Sequence, residues 1–302
     1  MKASYLTIAI VVMHFALPPA AYAKLKVFAC EPEWAALSQE LGGDKVKVFS
    51  ATTAFQDVHR IQARPSLIAR ARSADLLICT GAELESGWLP LLTRRAANKR
   101  IQNGQPGHFM AAEHVERLDV PAVVDRSMGD VHIAGNPHVH LSPQRILEIA
   151  TRLSERLMLI SPADKAFFKT RIDSFAQRWR EAITTWEERA LPLKGKTIVV
   201  HHKDWRYLSD WLKMDIVASL EPKPGLPPNA GHLAKLKQQL KQQPAAMILR
   251  AQYQDARASK WLSKNTGIPS VVLPYTVGGS DQAQDLFSLY DDTLTKMLNA
   301  LP

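Results

Sequence analysis

The sequence predicts an α/β protein: two Rossmann-like lobes, each a parallel sheet flanked by helices, joined by one long rigid backbone helix. Three features predict it. Strand-like runs alternate with helical ones from Leu25 to Gly81, the same alternation returns from Lys196 to Thr276, and between them Ser161 to Pro192 reads as one helix. Strands that alternate with helices pair in parallel, with helices covering the sheet.

Residues 1–23 open with Lys2, continue with an apolar run from Tyr5 to Leu17 and end in small residues at Ala21 and Ala23. A short apolar core before an A-x-A site predicts a secretory signal peptide cut before Lys24, because the run is too short to cross a bilayer. No cysteine follows the cut to carry a lipid, so a soluble periplasmic protein without an anchor is expected.

The first lobe is expected over 24–160, where LKVFAC, EWAALSQEL, VKVFSAT, PSLIARARSA and DLLICTG give β-α-β-α-β. Cys30 and Cys79 each end a strand. An exported protein permits a disulfide, while adjacent parallel strands are a poor geometry for one, so a bridge and two buried thiols both stay open. Asn103 to Pro137 has weak periodicity and carries His108, His114 and His132.

The linking helix is expected over 161–192. Ser161 suits an N-cap and Pro162 the first helical position, while Phe168, Ile172, Phe175, Trp179, Ile183 and Trp186 recur at three- and four-residue steps. Such a helix is on the order of 40 Å long at ~1.5 Å per residue. The second lobe is expected over 193–302, with KTIVVHH, DIVASL, AAMILR and SVVLPYT as strands and three helical runs between them. Trp34, Trp88, Trp205, Trp211 and Trp261 read as core or interlobe packing.

The formal charge is +9, and +8 once the leader with Lys2 is gone. Lys and Arg are scattered with no aromatic stripe among them, which argues against nucleic acid as a partner, as does export.

Of ten histidines, one lies in the leader. His59 stands just beyond the second strand, His138 in GNPHVHLSP, and His201 and His202 directly after KTIVV. Strand ends in open α/β sheets collect ligands, so three separate segments each bring imidazole to a cleft between lobes. Imidazole suits zinc, whereas manganese leans towards oxygen ligands. A closed zinc site is usually tetrahedral. The segment LPYTVGGSDQAQDLF offers Asp281 or Asp285 as a fourth ligand, although both also suit helix capping, and water is a further option.

At this point the motifs resemble those of the zinc- and manganese-binding solute-binding proteins of ABC transporters, cluster A-I, zinc branch. HRIQARPS, ADLLICTGAELESGWLP, GNPHVHLSP, HHKDWRYL, LEPKPGLPP and the TVGG turn fit the family in order over nearly the whole mature chain. The resemblance implies a metal between two lobes held by His59, His138 and His202, with Asp281 preferred over Asp285 as the acidic ligand. It leaves His140 and His201 outside the ligand set, and Asn136 and Ser142 depart from acidic residues common in the family. His132, on a glycine-flanked loop, suits transient metal capture or no metal role. The function implied is a monomeric periplasmic receptor that hands Zn2+, its transported ligand, to an inner-membrane permease. A manganese receptor, and a metal chaperone or adhesion protein on the same scaffold, are the alternatives. A metallohydrolase is disfavoured, because HExxH does not occur and no acid in the ligand motifs is placed as a general base; no enzyme activity is expected.

Overall fold

The computed structural model describes residues 23–123, 129 and 132–301, so the expected leader lies almost wholly outside the described residues. Among the described residues no helix is long and apolar enough to cross a membrane.

The first sheet is built from β1 (Leu25–Ala29), β2 (Val46–Ser50), β3 (Leu76–Cys79) and β4 (His108–Met110), all parallel, in the order β2-β1-β3-β4. Helices α1 (Pro32–Gly42), α2 (Pro65–Arg72) and α3 (Leu89–Ala96) connect or flank its strands. Two helices follow, α4 (Pro143–Ile160) and α5 (Lys165–Arg189). The second sheet repeats the plan with β5 (Thr197–Val200), β6 (Asp215–Ser219), β7 (Met247–Ala251) and β8 (Ser270–Leu273), parallel, in the order β6-β5-β7-β8. Its helices are α6 (Arg206–Leu212), α7 (Ala230–Gln242) and α8 (Ala256–Thr266), and α9 (Leu286–Asn299) ends the chain.

The expected α/β class is therefore what the chain forms. Every residue of β3 is buried, as a parallel strand covered on both faces requires. In each sheet the chain reverses its direction of growth beside the first strand, between β1 and β3 and between β5 and β7. Ligands gather beyond the carboxyl ends of strands at such points. Cys30 and Thr80 stand at the first, and His201, His202 and Gln252 at the second.

The long helix is shorter than expected. Pro162–Asp164 forms a separate 3-10 turn, with Ser161 Oγ donating to the Asp164 carboxylate at 2.8 Å, so the α-helix begins at Lys165. Its 25 residues span about 38 Å. It is no isolated strut: Phe175, Trp179 and Trp186 form a seam with Phe287 and Tyr290 of α9, ring centroids 4.8–6.3 Å apart. One hydrophobic core runs from β1 and α1 through this seam to β7 and β8.

Two elements were not among those expected. The strand β4 lies inside the weakly periodic region and is only three residues long, stabilised by pairing with β3. Helix α4 opens on Ser142, whose hydroxyl accepts from Arg145 N–H, and on Pro143 at the first helical position. Ser142 thus serves as an N-cap where the family pattern has an acid. Of the tryptophans expected to be packed, Trp261 is instead 40% exposed on α8, while Trp34, Trp88, Trp205 and Trp211 are buried.

The question left open at Cys30 and Cys79 is resolved as a disulfide, with a Cα–Cα distance of 4.8 Å. Neighbouring parallel strands do allow a bridge here because Cys30 stands one residue beyond β1. Beside it sit two buried carboxyls, Glu31 and Glu85, held by Thr80: its N–H reaches Glu85 Oε1 at 2.8 Å and its hydroxyl reaches Glu31 Oε2 at 3.2 Å. Burial pushes Glu85 up to about 7 and, with the charges of Glu85 and Glu33, holds Glu31 well above the ordinary range. A carboxyl whose pKa is higher folded than unfolded contributes stability at low pH that is lost as pH rises through the folded value. Denaturation at pH 5 and pH 8 therefore tests the pair. The wild type should lose on the order of 2 kcal/mol over that interval that Glu85→Gln retains. Equal losses in the two proteins would mean that Glu85 ionises normally.

Candidate metal centre

Four imidazoles converge between the two sheets. His59 lies on the 3-10 turn Val58–Arg60 beyond β2, capped by Asp57, whose carboxylate accepts the His59 backbone N–H at 3.1 Å. His138 precedes α4, its N–H bonded to Asn136 Oδ1 at 3.1 Å. His202 stands two residues beyond β5. His132 comes from the glycine-flanked loop for which transient metal capture and no metal role both stayed open, and its Nε2 lies 3.3 Å from His59 Nε2. Ring centroids are 5.4 Å apart for His59 and His132, 6.0 Å for His59 and His138, and 6.2 Å for His59 and His202 and for His138 and His202.

The outer nitrogens of these rings are engaged. His59 Nδ1 donates to Asp57 Oδ1 at 2.9 Å and His202 Nδ1 to Glu221 Oε2 at 2.6 Å. A carboxylate accepts only, so the proton sits on Nδ1 and the Nε2 lone pair is left for a Lewis acid. His138 Nδ1 meets the Tyr275 hydroxyl, and His132 is bonded to the Ala82 backbone. Glu221 is itself fixed by the Gly225 N–H at 3.0 Å. Two nitrogens each about 2.05 Å from one tetrahedral ion stand about 3.3 Å apart, which is the His59–His132 separation.

Protonation is set by surroundings. Burial, reinforced by the charges of His59 and His202, lowers His132 to about 4 and holds His138 well below the usual histidine range. Burial also works against a charged His202. The Glu221 hydrogen bond and the charges of Asp204, Glu221 and Asp57 outweigh it and raise His202. Burial pushes Asp57 up, but its side-chain and backbone bonds to His59 and the charges of His59 and Arg60 together outweigh this and lower it.

The three expected histidines thus come together and Asp281 does not. Asp281 is exposed, and no contact among the described residues joins it to an imidazole. A turn closed by Gly278 N–H on Ala283 O carries it to the surface. Asp285 caps α9 through a reciprocal pair of bonds with Ser288. His132 joins the cluster beside His59 instead. His140, also outside the cluster as expected, is buried with Nε2 3.1 Å from Tyr275 O and Nδ1 3.3 Å from Glu33, so it steadies the residue that holds His138. His201 is buried and shares no ring contact with the four.

Sequence reasoning missed Asp57, Glu221 and Tyr275. Asp57 had a signal, since an acid two residues before a histidine on a tight turn reaches that ring. Glu221 lay in the family-like motif LEPKPGLPP, 19 residues from its ring, and Tyr275, 137 residues from its partner, had no signal of its own. A tighter group of potential ligand atoms, within 4.8 Å, is Cys30, Cys79 and Glu85, but the bridged sulfurs offer no thiolate. A cleft of about 590 Å3 leads to the imidazoles, lined by His132, His138, His202 and Glu221, with Lys203 and Lys223 among its other walls.

Comparison with known proteins agrees with this architecture. The manganese ABC transporter substrate-binding lipoprotein PsaA of Streptococcus anginosus is 22% identical over 270 residues, covering 88% of this chain and 85% of its own. The metal ABC transporter substrate-binding lipoprotein SsaB of Streptococcus sanguinis is 20% identical over 264 residues, covering 87% and 83%. Among solved structures, that of ZnuA superposes with a TM-score of 0.77 at 19% identity, covering 92% of this chain and all of the other. The Mn-bound periplasmic metal binding protein from Candidatus Liberibacter asiaticus gives 0.74 at 16% identity, with 92% of this chain covered. Residues 27–301 match the family described as zinc-uptake complex component A, periplasmic, and the chain belongs to that family of metal ABC transporter substrate-binding proteins.

Proposed function

We propose that this protein is a periplasmic zinc receptor, which binds Zn2+ as cargo through His59, His132, His138 and His202 and hands it to an inner-membrane ABC permease. The observation that carries the reading is the pair of Nδ1 bonds to Asp57 and Glu221, which leaves the Nε2 lone pairs of His59 and His202 for one cation beside His138 and His132. Asp57 and Glu221 stand behind the rings and balance a dication without touching it. An imidazole set with no carboxylate among its donors suits zinc, nickel or copper better than manganese, which prefers oxygen. Supply and the permease then decide among the metals that imidazole accepts. The manganese names of several relatives favour a second reading, a manganese receptor. The ligand chemistry argues against it.

Titration of the metal-stripped protein with zinc against a chelator should give one tight equivalent. Replacing His59, His138 or His202 by Ala should weaken it at least about 100-fold, removing a donor outright, and His132→Ala about 10- to 100-fold. Asp281→Ala should change nothing. Full zinc affinity in the three principal variants, or its loss in Asp281→Ala, would overturn this ligand set.

Manganese competing for the same protein should bind at least about 100-fold more weakly than zinc. Comparable affinities would favour the second reading.

Zinc needs His202 neutral. Its raised pKa means that a proton begins to compete above pH 6.5 as the solution is acidified, so affinity should fall at each step from pH 8 to 7 to 6. Affinity that stays flat to pH 6 would exclude a neutral His202 as ligand.

A further inference from the structure

The four imidazoles belong to two separately anchored halves. His59's turn is pinned by Trp88 Nε1 donating to Val58 O at 3.1 Å, and His132 is bonded to Ala82, with the Ile133 N–H on the Glu83 carboxylate. These partners follow β3 in the first lobe. His138 precedes α4 in a segment bonded to Leu118 and Arg117 of the first lobe, and the second lobe holds that segment as well. Asn136 Nδ2 donates to Lys203 O at 2.9 Å, Tyr207 Oη to Asn136 O at 2.7 Å and Tyr290 Oη to His140 O at 2.6 Å. His202 is fixed there by Glu221.

Gln252, one residue beyond β7, joins the halves directly. Its Nε2 donates to Ala54 O at 2.8 Å, in the loop that runs into Asp57 and His59. Its Oε1 accepts the Tyr275 backbone N–H at 3.1 Å, and the Tyr275 hydroxyl meets His138. A primary amide is the side chain that donates and accepts at once, and flipping it would set donor against donor and acceptor against acceptor, so both partners fix its orientation. The TVGG turn covers it closely: a Cβ at Gly279 would fall 2.5 Å from Gln252 Nε2. Both bonds are partly buried, which strengthens them over bonds in open water.

We propose that Gln252 is the latch of the metal site, a positioning residue that holds the His59 loop against the Tyr275–His138 contact, so that zinc leaves when this amide lets go. The proposal rests on the zinc reading above and adds how that site opens. A 2+2 division of ligands gives a partner a simple way to release the ion: parting the halves leaves two donors on each side, neither pair sufficient for tight binding. Affinity differences of this kind fall mostly on dissociation.

The test is stopped-flow zinc release into excess chelator from the full mature chain, comparing wild type, Gln252→Met, Tyr275→Phe and the double variant. Methionine keeps the volume and removes both hydrogen bonds. Each single variant should release zinc about tenfold faster or more, and the double variant less than about threefold faster than the faster single, because the two act in one chain of contacts. Melting of the metal-free proteins should stay within about 3 °C of wild type, which separates positioning from a general loss of stability. Nitrogen chemical shifts of the metal-free protein should show a changed His138 tautomer balance in Tyr275→Phe, with His202 unaltered. Release from Gln252→Met within twofold of wild type, rate effects that multiply, or faster release only with a matching drop in melting temperature would each overturn the latch. If the wild type takes up no zinc, the receptor reading fails instead.

Discussion

Everything at the centre of this molecule depends on where four imidazole protons sit. A histidine ring binds a cation through a lone pair only if its other nitrogen carries the proton, and in water the two tautomers interchange freely. Here Asp57 and Glu221 impose the choice on His59 and His202 through bonds of 2.9 and 2.6 Å. The elements around them are arranged to keep those oxygens in place: a 3-10 turn capped by Asp57 itself, a backbone N–H from Gly225 on Glu221, and a tryptophan pinning Val58. A carboxylate that touched the ion would add affinity for hard cations. One that stands behind a ring supplies the same charge while leaving a softer donor in front.

Burial completes this arrangement. His138 and His132 are kept uncharged by desolvation, so four cationic rings never have to share one cleft, and the ligands are ready without first shedding protons. His202 runs the other way, held towards the charged form by its acidic neighbours. A proton therefore competes for this ring sooner on acidification than for His132 or His138.

Much of this was legible in the sequence. Alternation of strand and helix is a local property of side-chain periodicity, and it marked seven of the eight strands; β4 escaped because three residues cannot show a period. His59 and His202 stood out because each follows a strand, and His138 because of the motif GNPHVHLSP around it. Asp281 lies on the surface away from the imidazoles, and an acid near a family motif looks the same whether its turn curls inward or outward. That choice is made by the Gly278–Ala283 closure and the capping of α9, and neither is visible from residue types. His132 read ambiguously for the complementary reason: only the folded position of its loop, against Ala82 and Glu83, brings Nε2 to His59.

The aromatic seam on α5 bears on what the word lobe means in this protein. Trp179, Trp186 and Tyr290 are fully or almost fully buried, and they are shared between a helix that precedes the second sheet and one that follows it. Because α9 also packs against α1, the last residues of the chain complete the core begun by the first. Neither half retains an intact interior if the chain is divided near residue 192, so the two sheets belong to one cooperative unit.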